Sequence, residues 1–174
     1  MPVHTAAIAL GSNLGDRFAN IEQALRLLEA PTYLCDASTV GNDAEVYIVD
    51  TSFMYETAPM YVSNQPSFIN CACIVGLLVS IALIHRNSSI LQIKTNIQPR
   101  ALLALLKKIE VTVGRVPSVR YGPRAVDLDI LIYDEEVMDT RSPDQADWDN
   151  IEGHLIIPHP RMKEREFVLR PLCE

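Results

Sequence analysis

The sequence has no excess of basic residues and no apolar segment long enough to cross a membrane. Fifteen Lys and Arg stand against 22 Asp and Glu, and the net charge of −7 argues against a basic nucleic-acid-binding face. The segment 68–84 is uncharged over 17 residues, fewer than the roughly 20 that a transmembrane helix needs. Residues 1–10 hold neither a basic stretch nor a long apolar run, so no presequence is visible. We therefore expect no nucleic-acid or membrane partner and a cytoplasmic location.

Cysteine and glycine are also scarce. The four cysteines lack CxxC spacing, which is typical of free thiols in a reducing compartment and not of a disulfide framework or a zinc site. The seven glycines form neither a GxGxxG nor a GxxxxGK[ST] motif. Any nucleotide would therefore be held without a Walker-type loop, by cationic side chains and a metal ion.

A single stretch carries the whole net charge. Residues 134–152 hold eight acids and one base, so the other residues sum to zero. This stretch predicts a solvated acidic loop, because its spacing does not resemble a calcium-binding loop. A length of 174 residues suits one domain, and we treat residues 1–174 as such.

Apolar periodicity predicts the element order β-α-β-β-α-β. The elements are, in chain order, strand Ala6–Leu10, a helix capped by Asp16 with Phe18, Ile21, Leu25 and Leu28 on its apolar face, strands Val46–Tyr55 and Ser67–Val75, a helix from Pro99 to Gly114, and strand Val126–Tyr133. Two short apolar pieces, Leu155–Ile157 and Phe167–Leu169, follow as C-terminal additions. Two consecutive strands exclude a purely parallel sheet. We therefore predict an α+β, ferredoxin-like βαββαβ fold with an antiparallel sheet and helices on one face.

Two acids alternate with apolar residues in the last long strand. Side chains alternate along a strand, so Asp127 and Asp129 share one face, where their mutual repulsion favours a divalent cation such as Mg²⁺. A bare Asp-x-Asp pair is more often simply solvated. Here, however, residues 114–125 contain Arg115, Arg120, Arg124 and no acid. Carboxylates for a metal beside guanidinium groups for phosphate oxygens are what phosphoryl transfer requires.

These residues belong to a longer ordered series of motifs. Its parts are residues 9–16, 52–61, 65–70, 109–115, 120–129 and 158–172. In this order they resemble the 6-hydroxymethyl-7,8-dihydropterin pyrophosphokinase family, and several residues resemble its fungal members, in which the domain is part of a fused folate-synthesis polypeptide. The resemblance implies a ferredoxin-like fold and transfer of diphosphate from ATP to the hydroxymethyl group of the reduced pterin, with release of AMP.

The resemblance also implies roles for individual residues. Asp127 and Asp129 would bind two Mg²⁺ ions, and these two with Arg115 and Arg124 would be the catalytic residues. The ATP site would comprise Glu110, Arg115, Tyr121, Ile130, His159 and Arg165. The pterin site would comprise Thr57, Pro59, Met60, Phe68, Asn70, Tyr121 and Phe167, with the rings of Phe68 and Phe167 on either side of the pterin.

The chain departs from the family pattern at several points. Tyr121 stands where Trp is usual, and the segment from Arg115 to Arg124 is about one residue shorter than in bacterial members. His154 and Ile156 replace an Arg and a Thr that would help to hold ATP. Residues 76–95 have no counterpart, which predicts an insertion or retained intron sequence. The end at Glu174 predicts a truncated C-terminus.

Two other functions remain open from the sequence. One is a catalytically impaired or truncated remnant, which the apolar segment 76–95 and the early end favour. The other is a ferredoxin-like small-molecule-binding regulatory module, which does not explain why acids, arginines and aromatic residues match together. Partners would be ATP, the reduced pterin and fused or associated dihydroneopterin aldolase and dihydropteroate synthase domains. A fused polypeptide would also make a mitochondrial location an alternative.

Overall fold

The computed structural model describes residues 3–75, 94–144 and 153–173. The strands are β1 Ala6–Ser12, β2 Val46–Thr51, β3 Tyr55–Thr57, β4 Phe68–Val75, β5 Lys94–Thr95, β6 Asp127–Tyr133, β7 Met138–Asp139 and β8 Ile156–Ile157. The helices are α1 Arg17–Leu28, α2 Pro31–Leu34, α3 Ala37–Val40, α4 Pro99–Val113 and α5 Glu166–Leu172, and a 3₁₀ turn covers Met162–Glu164.

The main sheet is antiparallel throughout the described ranges. Its strands lie in the order β5-β2-β4-β1-β6, with β3 also paired to β4, while β7 and β8 form a separate small ribbon. The neighbouring strands β1 and β4 are separated in sequence by the helices α1 to α3 and by the strands β2 and β3. This order is that of the predicted ferredoxin-like fold, which is confirmed.

Helices α1 and α4 cover one face of this sheet. Alternate residues of β1 and β6, such as Ile8 and Leu128, pack with Ile21 of α1 and Leu106 of α4 in the main core. Local signals begin and end these helices: the Asp16 side chain accepts a hydrogen bond from the Ala19 N–H at 3.0 Å. Helix α4 begins at Pro99 and ends at Gly114, whose φ of 118° suits glycine.

The C-terminal additions lie on the opposite face of the sheet. Ala7, which alternates with the core residues of β1, packs in a second, smaller cluster with Met162 and Val168. Phe167 packs against the same cluster. Helix α5 and the sheet therefore enclose a space on this second face.

Several predicted elements differ from the structure. The prediction that Phe18 lies on the apolar face of α1 is wrong, since 54% of its surface is exposed. The buried residues of this helix are Ile21, Ala24 and Leu28. Strand β1 continues beyond Gly11 to Ser12. The predicted strand Val46–Tyr55 is two strands, because Ser52 turns its hydroxyl to the backbone of Phe53 and Ala72. The apolar piece Phe167–Leu169 belongs to a helix.

The region predicted to be an insertion is described only at its end. Lys94 and Thr95 form β5, and Thr95 exchanges two backbone hydrogen bonds with His4, so these two residues are part of the sheet. Residues 76–93 lie outside the described residues, as do 145–152 of the acidic loop. The described part of that loop includes strand β7. Among the described residues, no helix has the length and apolar character needed to cross a membrane.

The thiols differ sharply in accessibility. Cys35, Cys71 and Cys73 are buried, whereas Cys173 is exposed. Burial raises the pKa of the Cys71 thiol to about 12 and the pKa of Cys73 well above its ordinary value. Thiolate is the reactive form, so neither group reacts readily in the folded protein.

We expect one of the four thiols to react with a disulfide reagent at pH 8 in the native protein. All four should react after denaturation in guanidinium chloride, because unfolding exposes the three buried groups. Spectrophotometric counting of released thiolate measures both values. Cys173→Ser is the control and should abolish the native signal. Rapid native labelling of two or more thiols would contradict the buried positions.

Candidate active site

A cavity lies on the second face of the sheet, under α5 and between two loops. Its floor is formed by residues of β1, β4 and β6. Its sides are formed by Thr57 of β3, by the loop residues Ala58, Met60, Tyr61, Gln65, Tyr121, Gly122 and Arg124, and by Arg165, Phe167 and Val168. Gly11 lies at its centre, opposite Asp127 on β6 and Asn70 on β4. A Cβ atom on Gly11 would lie 3.0 Å from the Asn70 Oδ1, so glycine allows the side chains on either side to approach the floor.

The two acids of β6 both face this cavity. Asp127 and Asp129 line it and are half-buried, whereas Leu128 and Ile130 are buried in the main core. They pair with Gly11 and Ala9 of β1, which line the same cavity. The predicted alternation of acids and apolar residues is therefore present in the structure.

Asp127 is held by two arginines. Its Oδ1 accepts hydrogen bonds from Arg115 Nη1 at 2.8 Å and from Arg124 Nη1 at 2.6 Å. Burial alone would raise the pKa of Asp127, but Arg124, Lys107 and Arg115 hold it below its ordinary value. Asp127 is therefore an anion that two guanidinium groups already neutralise.

Glu110 of α4 is the buried anion of this charge cluster. Its carboxylate is 1% exposed and accepts hydrogen bonds from Lys107 Nζ at 2.6 Å, from the Leu128 N–H at 2.8 Å and from Arg115. The Lys107 ammonium also donates to the Leu128 carbonyl at 3.1 Å. Glu110 thus fixes both an arginine and the strand residue between the two acids. Lys107 was not predicted as a site residue, although it lies one helical turn before Glu110.

Asp129 faces a different pair of groups. Its Oδ2 lies 3.8 Å from His159 Nε2 and 4.0 Å from Arg165 Nη1. His159 Nδ1 accepts a hydrogen bond from the Arg161 N–H at 3.2 Å, so a neutral His159 carries its proton on Nε2. Burial lowers the pKa of His159 although Asp129 opposes this, which favours the neutral ring. His159 Nε2 and Arg165 Nε are buried and have no hydrogen-bond partner within residues 3–75, 94–144 and 153–173.

The opposite end of the cavity is aromatic and amide-lined. Phe68 and Asn70 project from β4, and Phe167 projects from α5. Asn70 Nδ2 donates to the Thr57 Oγ1 at 2.7 Å, which joins the floor to strand β3. Two flat apolar rings with one polar amide between the walls suit a planar, hydrogen-bonding ligand.

The structure brings most of the predicted site residues to one cavity, but not all of them. Those that line it are Thr57, Met60, Phe68, Asn70, Tyr121, Arg124, Asp127, Asp129, Arg165 and Phe167. The others are Pro59, Glu110, Arg115, Ile130 and His159, of which Arg115 and His159 lie beside its acids. The Ile130 side chain is 4% exposed in the core, so only its backbone can reach a ligand.

Sequence reasoning assigned no role to Asn13 and Gln65, which join the walls. Asn13 Oδ1 accepts a hydrogen bond from the Arg124 N–H at 2.8 Å, and its Nδ2 donates to Gln65 Oε1 at 3.0 Å. Gln65 Nε2 donates to the Tyr121 carbonyl at 2.9 Å. Both residues lie in the matched motifs, but their partners are more than 50 positions away, which no local pattern reveals.

Comparisons with known proteins agree with this geometry. The family model described as 7,8-dihydro-6-hydroxymethylpterin-pyrophosphokinase (HPPK) matches residues 7–90 and 85–174. The 2-amino-4-hydroxy-6-hydroxymethyldihydropteridine pyrophosphokinase of Bacillus subtilis is 37% identical over 169 residues, which cover 97% of this chain and 76% of that protein. The Folic acid synthesis protein FOL1 of Dictyostelium discoideum is 36% identical over 96% of this chain.

The chain covers very different shares of its relatives. It spans 19% of the Dictyostelium protein and 23% of a 37% identical Arabidopsis thaliana relative named Folate synthesis bifunctional protein, mitochondrial. A crystal structure of HPPK-DHPS in complex with substrates is 16% identical and has a TM-score of 0.55, over 97% of this chain and 39% of that chain. This structural likeness supports the fold. On the family-model match and the bacterial relative, the chain belongs to the 7,8-dihydro-6-hydroxymethylpterin-pyrophosphokinase family.

Proposed function

We propose that this chain transfers diphosphate from ATP to the hydroxymethyl oxygen of 6-hydroxymethyl-7,8-dihydropterin, with release of AMP. The observation that carries the proposal is one cavity with two functional ends. Asp127 and Asp129 lie beside guanidinium groups at one end, and Phe68, Asn70 and Phe167 lie at the other. A phosphate donor and a flat acceptor would therefore meet within a single space.

The acids fit two Mg²⁺ ions bound together with ATP. Asp127 and Asp129 offer hard oxygen donors on one face of β6, which suit this metal. The described residues contain no group of three or more His, Cys, Asp or Glu able to hold a metal, so ATP phosphate oxygens would supply further ligands. The bound metal would neutralise phosphate charge and polarise the phosphorus under attack. Asp127 would serve it by exchanging its arginines for the cation.

The cationic side chains would bind the phosphates. Arg115 and Arg124 are already directed at Asp127, and both would be available for phosphate oxygens when Asp127 binds a cation. His159 Nε2 and Arg165 Nε lie beside Asp129 and are buried donors for which the described part of the chain supplies no partner. Unpaired buried donors cost free energy, which an anionic ligand would recover. These four groups would therefore orient the chain of phosphates along the acids.

The aromatic end would hold the pterin. Phe68 and Phe167 would stack on the two faces of its ring, while Asn70 and the groups around Thr57, Pro59 and Met60 would bind its polar edge. Tyr121 lies between this end and the arginines, so its ring would contact either substrate. Glu110 and Ile130 have buried side chains. We therefore propose that the Glu110 carboxylate supports the ATP site without touching ATP, and that Ile130 contacts ATP through its backbone.

The wider context of the chain belongs to the same proposal. The bifunctional name of the Arabidopsis relative and the HPPK-DHPS crystal structure support fusion or association with a dihydropteroate synthase domain. Three further points stay our predictions. They are an associated dihydroneopterin aldolase domain, a cytoplasmic location with a mitochondrial alternative, and a single domain with an insertion at about 76–95. A regulatory module would bind both substrates without turnover, and a remnant would bind neither.

Removal of one metal ligand should abolish the reaction. With Mg²⁺, ATP and the reduced pterin, we expect the native chain to form AMP and Asp129→Asn to lower the rate on the order of 10²-fold or more. Chromatographic detection of AMP measures this, and far-UV circular dichroism verifies folding. Asp139→Asn, at an exposed residue of β7, is the control and should retain full activity. Native turnover by Asp129→Asn would refute the metal assignment.

The two rings should matter for the pterin alone. We expect Phe68→Ala and Phe167→Ala each to raise the KM for the pterin about tenfold, since stacking on an aromatic ring contributes about 1–3 kcal/mol. The KM for ATP should change less than twofold. Phe18→Ala removes an exposed ring on α1 and is the matched control. Equal effects on both KM values would argue against a stacked pterin.

Glu110 should act through Arg115 and not through direct binding of ATP. Glu110→Gln keeps the shape but presents an amide to cations, so we expect kcat to fall about tenfold with little change in the KM for ATP. Glu22→Gln, in an exposed pair with Arg26, is the control. A selective rise in the KM for ATP would instead place the Glu110 carboxylate in contact with the nucleotide.

A further inference from the structure

Strand β3 carries Thr57 to the aromatic end of the cavity and has few partners of its own. It is three residues long and, within the described ranges, pairs with β4 alone. Thr57 lies opposite Phe68 in this pairing. Opposite residues of an antiparallel pair project to the same face of a sheet. The position of β3 along β4 therefore sets the spacing between Thr57 and Phe68.

Glu56, the middle residue of β3, projects to the other face of the sheet. Its partner on β4 is Ile69, which packs in the main core with residues of α1 and α4. Phe68 and Asn70, on either side of Ile69, line the cavity. A residue that binds Glu56 therefore acts on β3 from the face covered by α1 and α4.

Arg17, the first residue of α1, makes this contact. Its Nη1 donates to Glu56 Oε1 at 2.7 Å and to the Ser67 carbonyl at 2.9 Å. Ser67 directly precedes Phe68, the first residue of β4. One guanidinium group thus joins the middle of β3 to the start of β4, behind the pair of strands that presents Thr57 and Phe68 to the cavity.

The beginning of α1 places Arg17 at this position. Strand β1 ends at Ser12, which lies opposite Ile69 of β4. Asp16 then caps α1, so that Arg17 is its first helical residue. The chain therefore enters α1 close to the start of β4, and its first helical side chain can reach both strands.

Exposure of this ion pair indicates what kind of effect it has. The side chain of Arg17 is 28% exposed and that of Glu56 is 60% exposed. Ion pairs this exposed contribute little to global stability, because water screens the charges and both side chains lose conformational freedom. The bond to the Ser67 carbonyl is charge-assisted and partly buried. Loss of Arg17 should therefore change the pairing of β3 and β4 locally and leave the rest of the fold intact.

We propose that Arg17 is a positioning residue for the acceptor substrate. It fixes β3 against the start of β4, so that Thr57 and Phe68 keep their spacing on the cavity face. A ligand that contacts both residues binds more weakly when less of the protein holds them at that spacing. The identity of this ligand as a pterin rests on the proposed function, whereas restraint of the two strands by Arg17 does not.

Equilibrium binding tests the effect on the substrate. With Mg²⁺ and the non-hydrolysable analogue α,β-methylene-ATP present, we expect Arg17→Met to raise the Kd for 6-hydroxymethyl-7,8-dihydropterin about three- to tenfold. Methionine keeps an unbranched side chain but donates no hydrogen bond. The Kd for the analogue alone should change less than about twofold, because Glu56 and Ser67 flank the aromatic end of the cavity. Titration calorimetry measures both values, and native pterin affinity in Arg17→Met would overturn the proposal.

Variants of the partner residue separate positioning from a general loss of charge. Arg26→Met removes an exposed arginine of the same helix, which pairs with Glu22, and is the matched control that should bind both ligands as the native chain does. Glu56→Gln keeps an oxygen that accepts from Arg17 and should retain native affinity. Glu56→Ala should weaken pterin binding, but not further in the presence of Arg17→Met, because both changes remove one contact. Multiplied effects in the double variant would overturn the shared contact.

Hydrogen exchange tests the restraint without any ligand. We expect backbone amides of β3 to exchange about three- to tenfold faster in Arg17→Met than in the native chain, whereas those of β6 should be unchanged. Mass spectrometry of overlapping peptides measures the exchange, and a thermal melt verifies that the variant is folded. Unchanged exchange in β3 would overturn the proposal. If the native chain binds no pterin, the proposed function fails, and the exchange result still decides whether Arg17 restrains the two strands.

Discussion

The ion-paired cluster between α4 and β6 is the interaction on which the site depends. Glu110 is an almost fully buried carboxylate, and its three donors include a backbone N–H of β6 as well as Lys107 and Arg115. Removal of a charge from water costs several kcal/mol unless hydrogen bonds replace the lost solvation. The cluster meets this requirement, and in doing so it connects an arginine and the strand that carries Asp127 and Asp129 to the same helix.

The alternation of side chains along β6 explains why the acids can be so close to the core. Asp127 and Asp129 alternate with Leu128 and Ile130, so one face of β6 packs on the helices while the other carries charge. Covering that second face with α5 and two loops makes a cavity of what would otherwise be an open sheet surface. Catalytic and structural demands are thereby met by opposite faces of a single strand.

The walls of the cavity are held by polar and aromatic contacts in place of a continuous apolar core. Asn13 and Gln65 bind the backbone of the arginine-containing segment 114–125, and Tyr61 packs on the side chain of Tyr121. Such contacts are individually worth about 1 kcal/mol, so the walls can rearrange around a ligand more readily than the sheet can. This division suits a site that must admit two substrates and release two products.

Local patterns in the sequence were sufficient to predict the order of the elements and the shared face of Asp127 and Asp129. They also predicted the helix ends at Asp16, Pro99 and Gly114. These features depend on residues within a few positions of one another. The resemblance of ordered motifs added which side chains would meet at the site. Tertiary structure alone decided that Phe18 is exposed, that Glu110 supports Arg115, and that Tyr61 and Arg161 meet at Tyr121. Glu110 and Arg115 are only five positions apart, but the two contacts of Tyr121 join residues 60 and 40 positions apart. Such contacts depend on how the sheet and loops pack, and no periodicity along the chain encodes that packing.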